Sequence, residues 1–189
     1  MKRLFFLLFI ATFGVSSCNQ QETVNHPEVL HVPLGKEKLN ASKIFEEITY
    51  LRLKGNGDLY PSKADQLEIL NHEIYIMDKS LGAIFRFSRT GDLLGILNNQ
   101  GEGPEEYQYL HRFLIDHKNQ TIEVYDKVGQ KILVFDKEFK FIESFKIGLF
   151  FENFAKVSDR KYLVYTAQDN IYNDELLENN LLIWNDGVI

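Results

Sequence analysis

The chain has 189 residues, of which 44% are apolar and 13% aromatic, so it can bury one sizeable core and lies outside the composition of disordered chains. Its formal charge is −6 and it has no basic stripe, which argues against a nucleic-acid partner. Fifteen Phe and nine Tyr, against one Trp and two Met, favour strands over helices because aromatic rings pack well on pleated sheets.

The N-terminal segment 1–18 has the pattern of an export signal. Two basic residues precede an apolar run of about ten residues, which is too short to span a bilayer. Three small residues, Val-Ser-Ser, then stand before Cys18, the single cysteine of the chain. This run resembles the lipobox of bacterial lipoproteins, which implies a signal peptide over residues 1–18 and lipid attachment at Cys18. A free thiol or a simple secretory leader is the alternative. The polar residues 19–28 predict a flexible tether.

A domain spanning residues 29–189 is predicted to follow, and it begins with elements that belong to no complete repeat. Val29–Leu34 can form a short strand, and Asn40–Glu47 one or two helical turns. Ile48–Leu53 alternates apolar and polar residues, which predicts another strand. Because it stands where an outermost strand would lie, we expect residues 48–53 to close a ring, with partners beyond residue 189.

A repeat organises the chain, since Glu73–Leu97 recurs without gaps as Thr121–Phe145, with a period of about 48 residues. Each copy contains three short alternating apolar runs, and in the first copy these are Ile74–Met77, Ala83–Phe87 and Leu93–Leu97. A fourth run precedes each set, at Gln66–Leu70 and at Arg112–Asp116. Four alternating runs separated by turn residues predict a four-stranded antiparallel meander, the blade of a β-propeller.

The C-terminal part repeats the pattern incompletely. Lys161–Thr166 and Leu181–Asn185 match the second and third strands, and the polar segment Asp169–Asn180 is expected to be an enlarged loop between them. The prediction is therefore an all-β chain that forms an incomplete β-propeller, about half of a six-bladed ring. Its blades are at 66–97 and 111–147, with a partial blade at 154–189.

An open arc of blades is expected to leave apolar surface in water. We expect this surface to include Ile69, Phe85, Leu163 and Trp184. Burying apolar surface contributes about 25 cal/mol per Å², so the isolated arc is expected to aggregate or to depend on a partner.

One face of the arc should carry the candidate binding residues. In antiparallel blades, the turns that begin at Asp78 and Asp126 emerge on the same side as the crossing between the two blades. That crossing contains the motif Gly-Glu-Gly-Pro-Glu-Glu-Tyr, which ends at Tyr107. We therefore predict possible loop-face binding by Asp78, Glu105, Tyr107 and Asp126. The alternative is structural: a rigid crossing that lays Tyr107 against the next blade, and Asp side chains that cap their own turns.

The motif, the preceding strand that ends in Leu-Gly-Ile-Leu and the later Ile-x-Val-x-Asp strand resemble those of six-bladed β-propeller lipoproteins of gut Bacteroidetes, whose blades are similar to NHL repeats. The resemblance extends over the leader, the tether and about Val29 to Ile189. It implies a closed six-bladed ring, so this chain would be a fragment, a truncated reading frame or part of an assembly. It also implies a lipid-anchored protein of the cell envelope, in the outer membrane, on either its periplasmic or its surface side.

No catalytic motif appears in the sequence, and the five His and one Cys have no metal-ligand spacing, so we predict no catalytic residues, metal or cofactor. His111 could face the axial channel, but a solvated residue at a strand start is the simpler expectation. Two functions stay open. The first is a lipid-anchored binding or scaffolding module for an unknown glycan, peptide or protein. The alternative is a propeller hydrolase or lyase with a channel active site that is incomplete in this chain.

Overall fold

The computed structural model describes residues 46–55, 60–167, 170–172 and 174–189. The predicted signal peptide, Cys18, the tether and the strand at Val29–Leu34 lie outside the described residues, as do all but the last two residues of the predicted helical segment Asn40–Glu47. The part of the chain that is described contains no helix long and apolar enough to cross a membrane.

The described residues are all-β, which confirms the predicted fold class. The first antiparallel sheet, in the order β1-β2-β3-β4, consists of β1 (Gln66–Leu70), β2 (Glu73–Asp78), β3 (Ala83–Phe87) and β4 (Leu93–Leu97). The second, in the order β5-β6-β7-β8, consists of β5 (Leu110–Asp116), β6 (Thr121–Asp126), β7 (Lys131–Asp136) and β8 (Phe141–Lys146). Strands β6, β7 and β8 each begin one sequence period after β2, β3 and β4, so the period seen in the sequence is the period of the sheets.

Aspartates end several strands because their carboxylates accept backbone hydrogen bonds from the turns that follow. Asp78 Oδ1 accepts the N–H of Ser80 at 2.9 Å, and Asp116 Oδ1 accepts the N–H of Lys118 at 2.9 Å. Asp136 Oδ1 does the same for Glu138, also at 2.9 Å. These local bonds stop each strand and fix the reversal that starts the next one.

The third sheet has three strands, β9 (Asn153–Ser158), β10 (Lys161–Tyr165) and β13 (Leu181–Asn185), in the order β13-β10-β9. The segment expected to be an enlarged loop contains a small hairpin, β11 (Asn170–Tyr172) paired with β12 (Glu175–Leu177). Asp174 lies in its turn with φ of 65°, a left-handed conformation that Asp tolerates better than most residues.

Residues 48–53, expected to be a closing strand, form no strand in the described chain. Most of their side chains are exposed, including Tyr50 at 95%. The next residue, Lys54, makes an isolated parallel bridge to Asp92, just before β4. An extended segment needs a partner for its backbone groups to become a strand, and no described strand pairs with this one. That residues 48–53 close the propeller ring stays a prediction.

Two apolar cores lie between the sheets. The first joins the first and second sheets and consists of Leu70, Tyr75, Met77, Ile84, Leu97, Tyr107, Leu110, Phe113, Ile115, Ile122, Val124, Leu133 and Phe135. The second joins the second and third sheets and consists of Tyr125, Ile132, Val134, Ile147, Leu149, Phe151, Phe154, Tyr162, Val164, Leu182 and Trp184. The sheets therefore pack face to face, as blades do.

The residues expected to be exposed on the arc are not all exposed. Ile69 is 56% exposed, and Leu163 is half-buried. Trp184 is buried because it faces the second sheet, where its ring stacks on Phe145 with centroids 5.7 Å apart. Phe85 is also buried, in a third apolar cluster on the outer face of the first sheet, against which Leu53 packs.

The first strands of the three sheets are neighbours, since β5 contacts both β1 and β9. The side-chain amide of Gln66 on β1 bridges to β5: its Nε2 donates to the carbonyl of Phe113 at 2.5 Å, and its Oε1 accepts the Phe113 N–H at 3.2 Å. This amide satisfies backbone groups on the free edge of β5. The line β1, β5, β9 thus forms the inner wall of the arc, and the ends of these strands form its two rims.

Candidate functional site

The upper face of the arc is the face that carries the turns 78–82 and 126–130 and the crossing 98–109. Tyr107, one of the predicted binding residues, holds this crossing in place. Its side chain is fully buried, and its hydroxyl donates to the carbonyl of Gly82 at 2.8 Å and accepts the N–H of Asn99 at 3.1 Å. Tyr107 therefore links the crossing to the β2–β3 turn, and its buried side chain is not accessible to a ligand.

Asp78 and Asp126 are also fully buried. The Oδ2 atom of Asp78 accepts the hydroxyl and the N–H of Ser62, both at 2.7 Å. Asp126 accepts the backbone N–H groups of Gln108 and Tyr109, at 3.2 and 3.0 Å. Burial raises the pKa of Asp78, but hydrogen bonds from Ser80, Ser62 and backbone N–H groups outweigh it and hold that pKa well below its usual range. These carboxylates are structural anchors that a ligand cannot reach in this arrangement.

Glu105 is the predicted residue that the structure leaves at the surface. Its neighbour Glu106 turns the other way, and its Oε2 accepts the N–H of Gly103 at 2.9 Å. The crossing is further held against the second sheet, because Lys131 donates to the carbonyl of Gly103 at 3.2 Å. Of the four predicted binding residues, only Glu105 is therefore placed where it can touch a ligand.

A group of polar and charged side chains, of which only His111 was considered from the sequence, lies on the upper face, where the inner strands begin. We call it the Glu152 cluster, and its members are Lys79, His111, Arg112, Lys127 and Glu152. Glu152 Oε1 lies 2.6 Å from Lys127 Nζ, and its Oε2 lies 3.0 Å from His111 Nε2. Arg112 Nε donates to the backbone carbonyl of Glu152 at 3.1 Å. The cluster thus joins the second and third sheets at the rim of the inner wall.

His111 is buried in this cluster, although the sequence suggested a solvated strand-start residue. It is 6% exposed, and its ring contacts those of Tyr109 and Tyr125, with centroids 6.0 and 5.9 Å apart. Its Nδ1 has no hydrogen-bond partner among the described residues. Burial lowers the pKa of His111, and the positive charge of Lys79 lowers it further, so the ring is neutral at pH 7.

The charge balance of the Glu152 cluster is positive, since three cations surround one carboxylate. Lys79 is half-buried, and burial, followed by the charge of Arg112, lowers its pKa, while Asp65 and Glu152 act in the opposite direction. The hydrogen bond from Lys127 is the largest cause that lowers the pKa of Glu152, so its carboxylate stays ionised. Partly desolvated cations at a rim can bind anionic or strongly polar groups more tightly than the same side chains in water.

A second group of charged residues lies at the lower end of the interface between the second and third sheets. We call it the Lys156 network. Lys156 Nζ lies 2.7 Å from Asp116 Oδ2 and 2.5 Å from Glu123 Oε1, and Tyr162 donates to Glu123 Oε2 at 2.8 Å. Glu123 is only 1% exposed. Each carboxylate is paired with a cation and hydrogen-bonded. The network therefore has the features of a structural contact between the two sheets rather than of a reactive centre.

The sequence contained a signal for one part of the Glu152 cluster. Lys79 and Lys127 each follow the aspartate that ends the second strand of a sheet, one repeat period apart. Nothing in the pattern indicated Glu152 or the burial of His111. The described residues contain no group of three or more His, Cys, Asp or Glu that could hold a metal ion.

A known structure has a similar fold. The crystal structure of a protein from Bacteroides fragilis NCTC 9343, which is named as an exported protein, matches with a TM-score of 0.67 and 19% sequence identity. The match covers 81% of this chain and 43% of that protein, so the chain spans less than half the length of this relative. BamB from Moraxella catarrhalis matches with a TM-score of 0.44 and 16% identity, over 64% of this chain and 31% of that one.

No curated protein matches the chain in sequence. A family model does: the one described as a 6-bladed beta-propeller matches residues 18–188. This range includes all three sheets and both groups of charged residues. The chain belongs to the six-bladed β-propeller family.

Proposed function

We propose that this chain is an exported, lipid-anchored β-propeller that acts as a binding or scaffolding module at the bacterial cell envelope. Its ligand is a glycan, a peptide or a protein, and it docks on the upper face at the Glu152 cluster. The observation that carries this proposal is the cluster itself, in which three cations surround one carboxylate at the rim of the inner wall.

The surroundings of the cluster support a binding site. The rim offers side chains with different chemistry: Tyr109 is 41% exposed beside the buried ring of His111, and Glu105 is exposed on the crossing. An aromatic surface next to partly desolvated charges is typical of sites that bind polar ligands. The crossing is held by the buried hydrogen bond of Tyr107 to Gly82 and by the partly buried one between Gly103 and Glu106, so we expect the site to be preformed and to lose little entropy on binding.

The proposed location rests on the N-terminal residues. The leader and the small residues before Cys18 support export and acylation, and the likeness to a Bacteroides fragilis protein named as exported is consistent with it. We place the lipid anchor in the outer membrane, which makes the membrane itself the first partner. The anchor concentrates the upper face near the envelope without any requirement for affinity between the propeller and lipid.

Binding can be tested with the full chain, purified in detergent, on arrays of envelope glycans and of peptides. We expect at least one ligand class to bind, and the Arg112→Ala and Tyr109→Ser variants to bind it at least tenfold more weakly. Lys118→Ala is the matched control, because Lys118 is exposed in the β5–β6 turn at the opposite end of the blade. Ligands that bind all four proteins equally would place the site elsewhere and contradict the proposal.

A further inference from the structure

The connection between β10 and β13 is much longer than the corresponding connections in the other two sheets. Four residues join β2 to β3 and four join β6 to β7, whereas fifteen residues, 166–180, separate β10 from β13. The longer connection contains the hairpin of β11 and β12, which has no counterpart in the four-residue turns. Long connections in compact domains are uncommon unless they have a function of their own.

The inner face of this hairpin is fixed to the rest of the domain. Asn170 Oδ1 accepts the N–H of Phe150 at 2.8 Å, and the hydroxyl of Tyr172 donates to the carbonyl of Gly187 at 2.7 Å. Tyr172 and Leu177 also pack against the second apolar core. Because side chains alternate along each strand, the residues between these contacts point outward.

The outward face of the hairpin consists of two apolar side chains. Ile171 and Leu176 are direct partners in the register of the hairpin, and they are 71% and 59% exposed. Direct partners have Cβ atoms about 5 Å apart, so the two side chains form one continuous apolar patch. Apolar residues exposed singly are ordinary on protein surfaces, whereas neighbouring ones on a fixed, added element indicate a contact surface.

The charged residues of this part of the chain are all acidic. Asp174, Glu175 and Glu178 are exposed and lie within two residues of Leu176 along the chain. Residues 162–189 contain five acidic residues and no Lys, Arg or His, so they account for most of the formal charge of −6. A surface of one sign attracts the opposite charge and repels its own. The hairpin is therefore a poor partner for anionic lipid and for the same hairpin of a second copy.

We propose that the outward face of the β11–β12 hairpin docks a partner polypeptide that has Lys or Arg next to apolar side chains. The apolar side chains of the partner cover Ile171 and Leu176, and its cations approach the acidic residues beside them. This interface goes beyond the proposed function, because the hairpin shares no residue with the Glu152 cluster and has the opposite charge. The hairpin is small, so we expect fast, reversible binding that salt weakens.

The docking face can be tested with three fluorescent peptides of equal length, titrated with the full chain in a non-ionic detergent and followed by anisotropy. Their repeats are Lys-Lys-Val-Val, Glu-Glu-Val-Val and Lys-Lys-Ser-Ser, and an extended peptide of each kind has both residue types on each side. We expect saturable binding of the first peptide alone, weakened about tenfold when salt rises from about 50 to about 500 mM. Equal binding of the Lys-Ser peptide would show that the apolar pair makes no contact.

A double substitution tests the apolar pair. Ile171→Ser/Leu176→Ser should weaken binding of the Lys-Val peptide about tenfold and keep the wild-type circular dichroism spectrum, because both side chains are exposed. The matched control is Leu67→Ser/Val128→Ser, which removes two exposed apolar side chains from the first and second sheets. The proposal is wrong if both double variants bind as the wild type does, or if both lose binding equally.

A charge reversal tests the acidic residues. Glu178→Lys should also weaken binding of the Lys-Val peptide, because it places a cation beside the patch. Glu138→Lys makes the same change of charge in the β7–β8 turn, where the side chain is 45% exposed, and should leave binding unchanged. Equal losses would mean that net charge alone attracts the peptide, which would contradict a docking face at the hairpin.

Other occupants of the face give different results. If phosphatidylglycerol vesicles bind the wild type but not Ile171→Ser/Leu176→Ser, the face contacts a membrane and the proposal is overturned. If that variant instead elutes as a smaller species than the wild type in size-exclusion chromatography with light scattering, a second copy covers the face, which also overturns it. Failure here leaves the function at the Glu152 cluster intact, since that function is tested separately by Arg112→Ala.

Discussion

The hydroxyl of Tyr107 lies 2.8 Å from the carbonyl oxygen of Gly82, and this one contact joins the crossing between two blades to a turn of the first. The contact is buried, and the same hydroxyl accepts the N–H of Asn99. A single side chain therefore satisfies two backbone groups, one of them in a fully buried contact.

Replacing Tyr107 by Phe should destabilise the chain, because it leaves both backbone groups without a partner. We expect the free energy of unfolding to fall by about 1–3 kcal/mol, measured by urea denaturation. Tyr165→Phe removes the same atom from an exposed side chain and should change stability by less than about 0.5 kcal/mol. Equal effects of the two substitutions would show that the buried bonds do not stabilise the fold.

The same hydroxyl predicts a loss of stability in alkali. Burial raises the pKa of Tyr107 to about 12. Since the folded pKa lies above the unfolded value of about 10, the stabilising contribution is complete below pH 10 and is lost as the pH rises toward 12. The difference in unfolding free energy between wild type and Tyr107→Phe should therefore shrink by about 2 kcal/mol between pH 9.5 and 12. A constant difference over this range would contradict the assignment.

The Lys156 network predicts a loss of stability in acid. Burial raises the pKa of Asp116, but the hydrogen bonds from Lys156 and the backbone of Asn119 outweigh it and hold that pKa at about 2. Because the folded pKa is below the unfolded value of about 3.9, the contribution is present above pH 4 and is lost as the pH falls toward 2, which amounts to about 2 kcal/mol.

Asp116→Asn should remove this part of the acid dependence, so its urea midpoint should fall less steeply than that of the wild type between pH 5 and pH 2.5. Asp186→Asn serves as the control because the Asp186 side chain is 70% exposed. An Asp116→Asn profile parallel to the wild-type one would mean that the interface between the second and third sheets does not depend on this carboxylate.

Much of the fold could be predicted because its determinants are local. Strands β2, β3 and β4 coincide with the predicted alternating runs to within one residue, since each run ends at turn residues that fix the reversal. The hairpin β11–β12 was missed because each of its strands has only three residues, too few to show an alternating pattern, and the two strands are defined only by pairing with each other.

The candidate site could be predicted only in part, because its members come together from different blades. The lysines after Asp78 and Asp126 were visible as a repeat. The ion-pair partner of Lys127 is Glu152, however, which lies later in the chain, directly before the next sheet. Asp78 and Asp126 lie on the upper face, as predicted, but their side chains are buried rather than exposed. Alternation indicates which face a residue lies on, whereas burial at a turn depends on which loop covers it.

Cys18 predicts the location of the protein. Cys18→Ala should leave the precursor unprocessed and unlabelled by radioactive palmitate, and a membrane fraction of cells should contain no mature form. Ser17→Ala keeps a small residue before the cysteine and should be processed and labelled normally. A Cys18→Ala protein of mature size that still fractionates with the outer membrane would refute acylation at this position.

Self-association is predicted at strand β13, which ends the third sheet. Its outer edge pairs with no described strand apart from the bridge at Asn185, and Leu181 and Ile183 are 61% and 49% exposed. Unpaired backbone groups beside exposed apolar side chains form a template for another strand, and a charge on such a strand opposes the pairing. The Leu181→Lys/Ile183→Lys variant should therefore elute as a smaller, more uniform species in size-exclusion chromatography with light scattering.

The control for this last experiment places a charge of the same sign, one unit rather than two, where no edge exists. Val128 is 58% exposed in the β6–β7 turn, so Val128→Lys adds a positive charge without touching a strand. We expect it to associate as the wild type does. A wild type that is already monodisperse and monomeric would show that the exposed edge of β13 is protected, and association reduced equally by both changes would mean that net charge, rather than the edge, controls it.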